Sequence, residues 1–216
     1  MLSELLELAL SPIIWLMLFT LDLYISVIGS TGASILLLSF TFSLLALPIR
    51  REAEKFEQKL GTKINAVDEE VRKLKKGMKG EKLFFATEAV YKKHSYHPIK
   101  SIGRGAGFFV MLPILISAIY LLSKDGVLQG ESFLFIQDLS KPDQLFHSIH
   151  TLPLIMAAIT IVDAKIRFKG DKKAQYRFYG IAAVLLALVY DLPSGLILYW
   201  TGSNILSLIL VKFNSN

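Results

Sequence analysis

Apolar positions along this chain of 216 residues gather into runs separated by polar, charged segments. Five runs read as helices, at about 33–49, 106–123, 149–163, 177–192 and 195–212. A helix rises about 1.5 Å per residue, so a run approaching 20 apolar residues matches a hydrocarbon core about 30 Å thick. Open sheets would leave backbone groups unsatisfied in lipid, and the runs are too long and too uniformly apolar for barrel strands. The pattern predicts an all-α, polytopic membrane protein: a five-helix transmembrane bundle, the first helix in 31–49 and the other four in 105–216.

The last two runs are fused in the sequence. Phe178–Val211 is apolar almost throughout its 34 residues, too long for one span, yet Asp191, Pro193, Ser194 and Gly195 fall together near its middle. Proline and glycine end one helix and reverse the chain, and the charge reaches the headgroup layer. The stretch "DLPSG" is therefore the tight outer turn between two helices. Ile149–Val162 offers only 14 residues before Asp163. Short apolar helices thin the bilayer around them, or their basic flanks snorkel; Lys165 and Arg167 leave both readings open.

Residues 1–30 are expected to form an amphipathic helix lying at the outer interface. Asp22 interrupts the apolar run, Trp15 and Tyr24 suit an interface, and "GSTGAS" is a short link to the next helix. A sixth span over 10–28 is the alternative. Residues 50–104 are the largest polar piece. Leu60, Ile64, Val67, Val71 and Leu74 recur there every four or three residues, a narrow stripe of the coiled-coil kind. Gly77, Met78 and Gly80 then make a turn into a second, shorter helix at Leu83–Tyr91, giving a basic helical hairpin. Pro98, Gly103, Gly105 and Gly107 mark the return to the membrane.

Charge orients these pieces. Arg50–Arg104 holds 15 Lys or Arg against 8 Asp or Glu, and Lys165–Arg177 holds 6 against one. Lys124–His150 has two lysines against four acids. Basic loops stay cytoplasmic, so the hairpin and the loop 164–176 face inward and the loop 124–148 faces outward. The expected setting is a bacterial-type inner membrane, with the N-terminus outside and the C-terminus cytoplasmic. The acidic start, "MLSELLEL", argues against a cleaved signal peptide.

The absence of cysteine excludes disulfides, thiolate metal sites and a cysteine nucleophile. Asp143, His147 and His150 share a helical spacing, but without a fourth ligand they read as an outer-loop surface face, and no metal or other cofactor is expected. No phosphate loop, carboxylate pair or nucleophile triad stands out, so the chain does not read as an enzyme. The interleaved acids of the hairpin and the adjoining membrane favour anionic phospholipids over nucleic acid.

Several stretches carry a resemblance: "SILLLSFTFSLLALPIRREAEKFEQKL", "YHPIKSIGRGAGFFVMLPILISAIYLL", "FIQDLSKPDQLFHSIHTLPLIMAAIT" and "DLPSGLILYWTGSNILSLI". In this order the chain resembles the YidC/Oxa family of membrane protein insertases. The resemblance implies a hydrophilic groove, open to the cytoplasm and to lipid and closed outside, through which nascent or newly made membrane proteins enter the bilayer. It leaves a secretion channel, or one dedicated membrane complex, open as further partners. The expected groove residues are Ser39, Ser43, Met111, Thr160, Thr201, Ser203 and Asn204, although Thr160, Thr201, Ser203 and Asn204 equally suit hydrogen bonds that join helices. Ser43 stands where the family usually carries an arginine, and Met111 where it commonly carries a glutamine, which implies a less charged groove.

Overall fold

The computed structural model describes residues 2–97, 106–124, 126–144, 149–170 and 172–214. Among them are eight helices: α1 (Leu2–Ile28), α2 (Thr31–Leu45), α3 (Leu47–Gly77), α4 (Gly80–Lys93), α5 (Ala106–Leu122), α6 (Thr151–Arg167), α7 (Lys172–Val189) and α8 (Ser194–Asn214). Extended pairing among the described residues is limited to one antiparallel bridge, Phe133 to Ile136. The protein is all-α. By length and composition, Leu8–Ile28 and Ser194–Lys212 suffice to cross a membrane; Thr31–Leu45 and Leu47–Ala53, bent by 49° at their break, form either a broken span or a re-entrant loop. Met111–Leu122 and Gln175–Val189 are shorter apolar helices.

The chain divides into two compact units, Met1–Leu45 with Pro113–Asn216, and Ala46–Leu112. In the first, α8 packs against α2 and α6, α6 against α7, and α1 against α2. Its core holds Met17 and Leu21 of α1, Leu38 of α2, Leu121 of α5, Met156 of α6 and Ile197 of α8. Large apolar side chains also face outward, among them Trp15, Phe19 and Leu23 on α1 and Ile181, Val184 and Leu188 on α7. Apolar contact all round a helix suits lipid, where such a surface costs nothing to leave uncovered. The packed stripe of α1 is Ile14, Met17 and Leu21, with Tyr24 Oη 2.8 Å from Thr41 Oγ1.

Several helix ends differ from the sequence expectation. The first span closes at Leu45 rather than 49, because Pro48 enters the first turn of α3. Proline has no N–H for the carbonyl four residues back and its ring crowds that carbonyl, so a new helix starts around it instead. The third span continues beyond Val162 to Arg167, since Asp163 pairs with Arg167 one turn on. At 17 residues each, α5 and α6 are about 25 Å long, still short of an average hydrocarbon core. The hairpin's second helix runs over Gly80–Lys93, longer than Leu83–Tyr91.

The second unit contains the expected hairpin. Ile64, Val67 and Val71 of the α3 stripe are buried. Glu70 receives Lys93 Nζ at 3.2 Å and His94 Nε2 at 3.0 Å, tying α3 to the end of α4. The hydrogen bond from His94, then that from Lys93, holds the Glu70 carboxyl below its ordinary range. The turn falls at Gly77, Met78 and Gly80, where Met78 is extended and its N–H caps Leu74. Gly80 has φ +61°, a left-handed conformation that glycine adopts without a Cβ conflict. Pro98, Gly103 and Gly105 lie outside the described residues.

Candidate functional site

Polar residues of α2, α6 and α8 meet each other inside the first unit. Ser43 Oγ donates to Ser203 Oγ at 3.1 Å, and Asn204 Nδ2 donates to Thr160 Oγ1 at 3.0 Å. Nearer the end of α6, Arg167 donates to Asp163 through Nε at 3.1 Å and to Ser207 Oγ through Nη2 at 3.0 Å. Counting about 1.5 Å per residue from the first residues of these helices, the three levels lie roughly 14–24 Å along them. The result is a ladder of hydroxyl, amide and ion-pair contacts between helices that are otherwise apolar.

The seam is closed. Ser39 is fully buried and Ser43 only 4% exposed. Ser39 Oγ donates to its own helix carbonyl at Leu36. Opposite it stands Gly202, where an added Cβ would fall 2.1 Å from Ser39 Oγ. Small residues on both helices allow the backbones to approach, as is common between membrane helices. Ser39 and Ser43 therefore line a contact and not open space, a difference from the groove implied by the resemblance. Side chains as small as serine and glycine leave nothing to prop α2 from α8.

Of the other expected groove residues, Thr160, Ser203 and Asn204 are half-buried members of the seam. Thr201 is buried, but its hydroxyl has no hydrogen-bond partner among the described residues. At 100° per residue it lies about 160° round α8 from Ser203 but only about 60° from Asn204. Met111 is half-buried on α5 and belongs to the second unit. The sequence reading missed Gly202, Arg167 and Ser207. The run of small residues at "TGS" and the four-residue spacing of Asp163 and Arg167 were the available signals.

The far ends of the same helices are locked by the loop between α5 and α6. Thr31, first residue of α2, donates to Glu131 at 2.6 Å. Phe133 packs over Gly32, where a Cβ would fall 2.2 Å from the ring. At the start of α8, the Ser194 N–H and hydroxyl both donate to the Lys141 carbonyl, and the Gly195 N–H donates to that of Leu139. Leu128 lies over Gly195. A turn between α7 and α8 does fall at Asp191–Gly195, and its serine and glycine dock the loop.

Asp138 shapes that loop by accepting the Ser140 N–H and hydroxyl and approaching Lys141 Nζ at 3.0 Å. The hydrogen bond from Ser140, then that from Lys141, holds its carboxyl down at about 2. Asp143 is not on the surface face expected for it. It is 3% exposed and accepts the Thr151 and Leu152 N–H groups at the start of α6. His150 donates from Nδ1 to the Asp143 carbonyl, since a carbonyl only accepts, and its ring lies against Tyr190. His147 lies outside the described residues, and no group of three or more metal-ligating side chains occurs among those described.

The lock makes a direct prediction. A cysteine at Ser34, a fully buried position on α2, is expected to resist a bulky thiol reagent in mild detergent. Adding Gly32→Leu displaces Phe133 and raises the labelling rate roughly tenfold, as expected for an opening made easier by about 1.4 kcal/mol. The absence of native cysteine makes the readout specific. Equal rates in both proteins would mean that Phe133 does not seal this end.

The family model described as 60Kd inner membrane protein matches residues 23–215, from the last turns of α1 to the end of α8. The chain belongs to this family. The 60Kd inner membrane protein family also includes relatives similar to it over most of its length. The membrane protein insertase YidC of Chlamydia caviae is 28% identical over 227 residues, covering 94% of this chain and 28% of that protein. YidC 1 of Streptococcus pyogenes serotype M6 is 25% identical, covering 89% of this chain and 70% of the relative. YidC of Fusobacterium nucleatum is 24% identical, covering 90% and 89%. The chain spans 28% of the Chlamydia caviae protein and 35% of that of Herminiimonas arsenicoxydans.

Proposed function

We propose that the protein is a membrane protein insertase and chaperone, assisting transmembrane segments to enter and fold in the bilayer. The observation that carries this reading is a polar seam inside an apolar helix bundle, locked at one end by the α5–α6 loop and left with half-buried polar groups along its length. Hydroxyl, amide and ion-pair groups between membrane helices are costly unless paired; here they pair with one another, and the same groups can pair with polar chain once the helices part. Family membership and the YidC relatives support the same function.

In this mechanism α2 and α8 part along Ser39–Gly202 and Ser43–Ser203. The polar segment of a client then exchanges hydrogen bonds with the freed groups while its apolar segment passes into lipid. Transfer of the apolar segment supplies the driving force, and the seam lowers the barrier. The basic hairpin α3–α4 and the basic loop 165–177 face the cytoplasm and anionic headgroups, and the locked end faces outward. The substrates are nascent or newly made membrane proteins.

Expression in cells depleted of their own insertase is expected to restore growth and client insertion; failure of both would overturn the reading. Ser43→Arg puts a cation beside Ser203 and is expected to raise insertion of clients with acidic external segments by about threefold to tenfold, the worth of a partly desolvated charge contact. Unchanged insertion of those clients would show that position 43 does not meet the substrate. The tight closure at Ser39 and Ser43 favours a second reading, a dedicated subunit of one membrane complex. Capture in mild detergent separates the two: one stoichiometric partner supports the subunit, and many newly made chains support the insertase.

A further inference from the structure

The loop that locks the bundle carries an apolar tip that the lock does not use. Phe133 and Ile136 exchange both backbone hydrogen bonds at 2.9 Å, and the Leu139 N–H donates to the Glu131 carbonyl at 2.8 Å. The chain between them is a tight hairpin with Leu134 and Phe135 at its turn. Its two bridge residues pack into the protein: Phe133 covers Gly32, and Ile136 is buried. Leu134 and Phe135 are instead 83% and 45% exposed. Leu134 also has φ +53°, a left-handed conformation that is an outlier for a bulky side chain. Packing within the chain does not return that cost, because Leu134 is almost wholly exposed.

We propose that this turn is a lipid anchor: Leu134 and Phe135 enter the bilayer at the headgroup boundary and hold the α5–α6 loop over the starts of α2 and α8. Three observations choose lipid as the occupant. The same loop holds Ser194 and Gly195, the first two residues of α8, at the level where a helix long enough to span leaves the hydrocarbon. On α1 the outward positions Trp15, Phe19, Leu23 and Val27 recur every four residues and run up to the turn into α2, so a lipid-facing surface reaches this end of the bundle. Polar residues flank the tip on both sides, Glu131 and Ser132 before it, Gln137 and Asp138 after it. That order suits shallow entry, with side chains among acyl carbons and the peptide groups of the turn among headgroups and water. The anchor requires a membrane but not the insertase reading, and goes beyond it.

The test uses the full-length protein in phosphatidylcholine vesicles, labelled at a single cysteine with the polarity-sensitive dye NBD; the chain has no native cysteine. Leu134→Cys reports the tip, and Lys141→Cys, at a side chain 70% exposed on the same loop, is the control. At 134, a nitroxide near the headgroup end of the acyl chains is expected to quench about threefold more strongly than iodide supplied on both sides; at 141 the order reverses. Equal iodide quenching at the two positions overturns the anchor. Shielding from both quenchers that disappears as the protein is diluted in lipid assigns the tip to a second copy, and overturns it too. Leu134→Asn then tests the hold on the loop, because asparagine tolerates the left-handed backbone and lacks the apolar side chain. In this background Ser34→Cys is expected to react with the bulky thiol reagent about threefold faster in vesicles. Unchanged or slower labelling would mean that the tip holds nothing.

Discussion

Replacing Gly202 with leucine is expected to lower the stability of the bundle by about 3 kcal/mol, the upper part of the range for forcing a large side chain into a packed contact. A single Cβ there already falls 2.1 Å from Ser39 Oγ and 3.2 Å from a methyl of Leu36. Ser39 can turn its hydroxyl away by giving up the bond to the Leu36 carbonyl, so Gly202→Ala is the milder change. Leucine reaches past the hydroxyl into the α2 backbone, and the helices must separate. Denaturant unfolding in mild detergent measures the effect, with Ser39→Ala recovering part of the loss in Gly202→Ala and almost none in Gly202→Leu. A leucine variant with the wild-type midpoint would mean that α2 and α8 are not in contact at this level.

Asp143→Ala is expected to cost about 2–4 kcal/mol, more than a typical helix cap, because the carboxylate is buried and serves two N–H groups. The neighbouring cap position, His150, makes no side-chain cap hydrogen bond to α6, so nothing adjacent takes over. Two N–H groups at the positive end of the helix would then lose a charged acceptor. Asp143→Asn keeps one acceptor oxygen and is expected to lose about 1–2 kcal/mol. Hydrogen exchange of the Thr151 and Leu152 amides checks the mechanism: protection falls in the alanine variant ahead of the rest of α6. Protection unchanged at both amides would assign their bonding elsewhere.

The two residues show how unevenly the molecule was legible. Gly202 sits in "WTGSN", where small residues suggested a polar lining, yet its partner Ser39 is in a different helix far back in the chain. Asp143 was read by local spacing, with His147 and His150, as part of a surface face. Capping rules look to the residue beside the helix, and here the acceptor comes from eight residues upstream of Thr151. Asp163 was read only as the residue that ends a short apolar run, and its link through Arg167 to Ser207 required α8 to be in place.

By itself the sequence determined where the apolar helices lie, the break at Asp191–Gly195, the α3 stripe at Ile64, Val67 and Val71, and the hairpin turn at Gly77–Gly80. These depend on periodicity, proline and glycine within a few residues, so they are written locally. Tertiary structure alone decided that Ser43 meets Ser203, that Gly202 closes on Ser39, and that the α5–α6 loop bolts the ends of α2, α6 and α8. Hydropathy says how far a helix can run through lipid, but in lipid every apolar face is equally satisfied. Which faces meet is left to small-residue fit and paired polar groups, and those pairings join residues up to 160 positions apart.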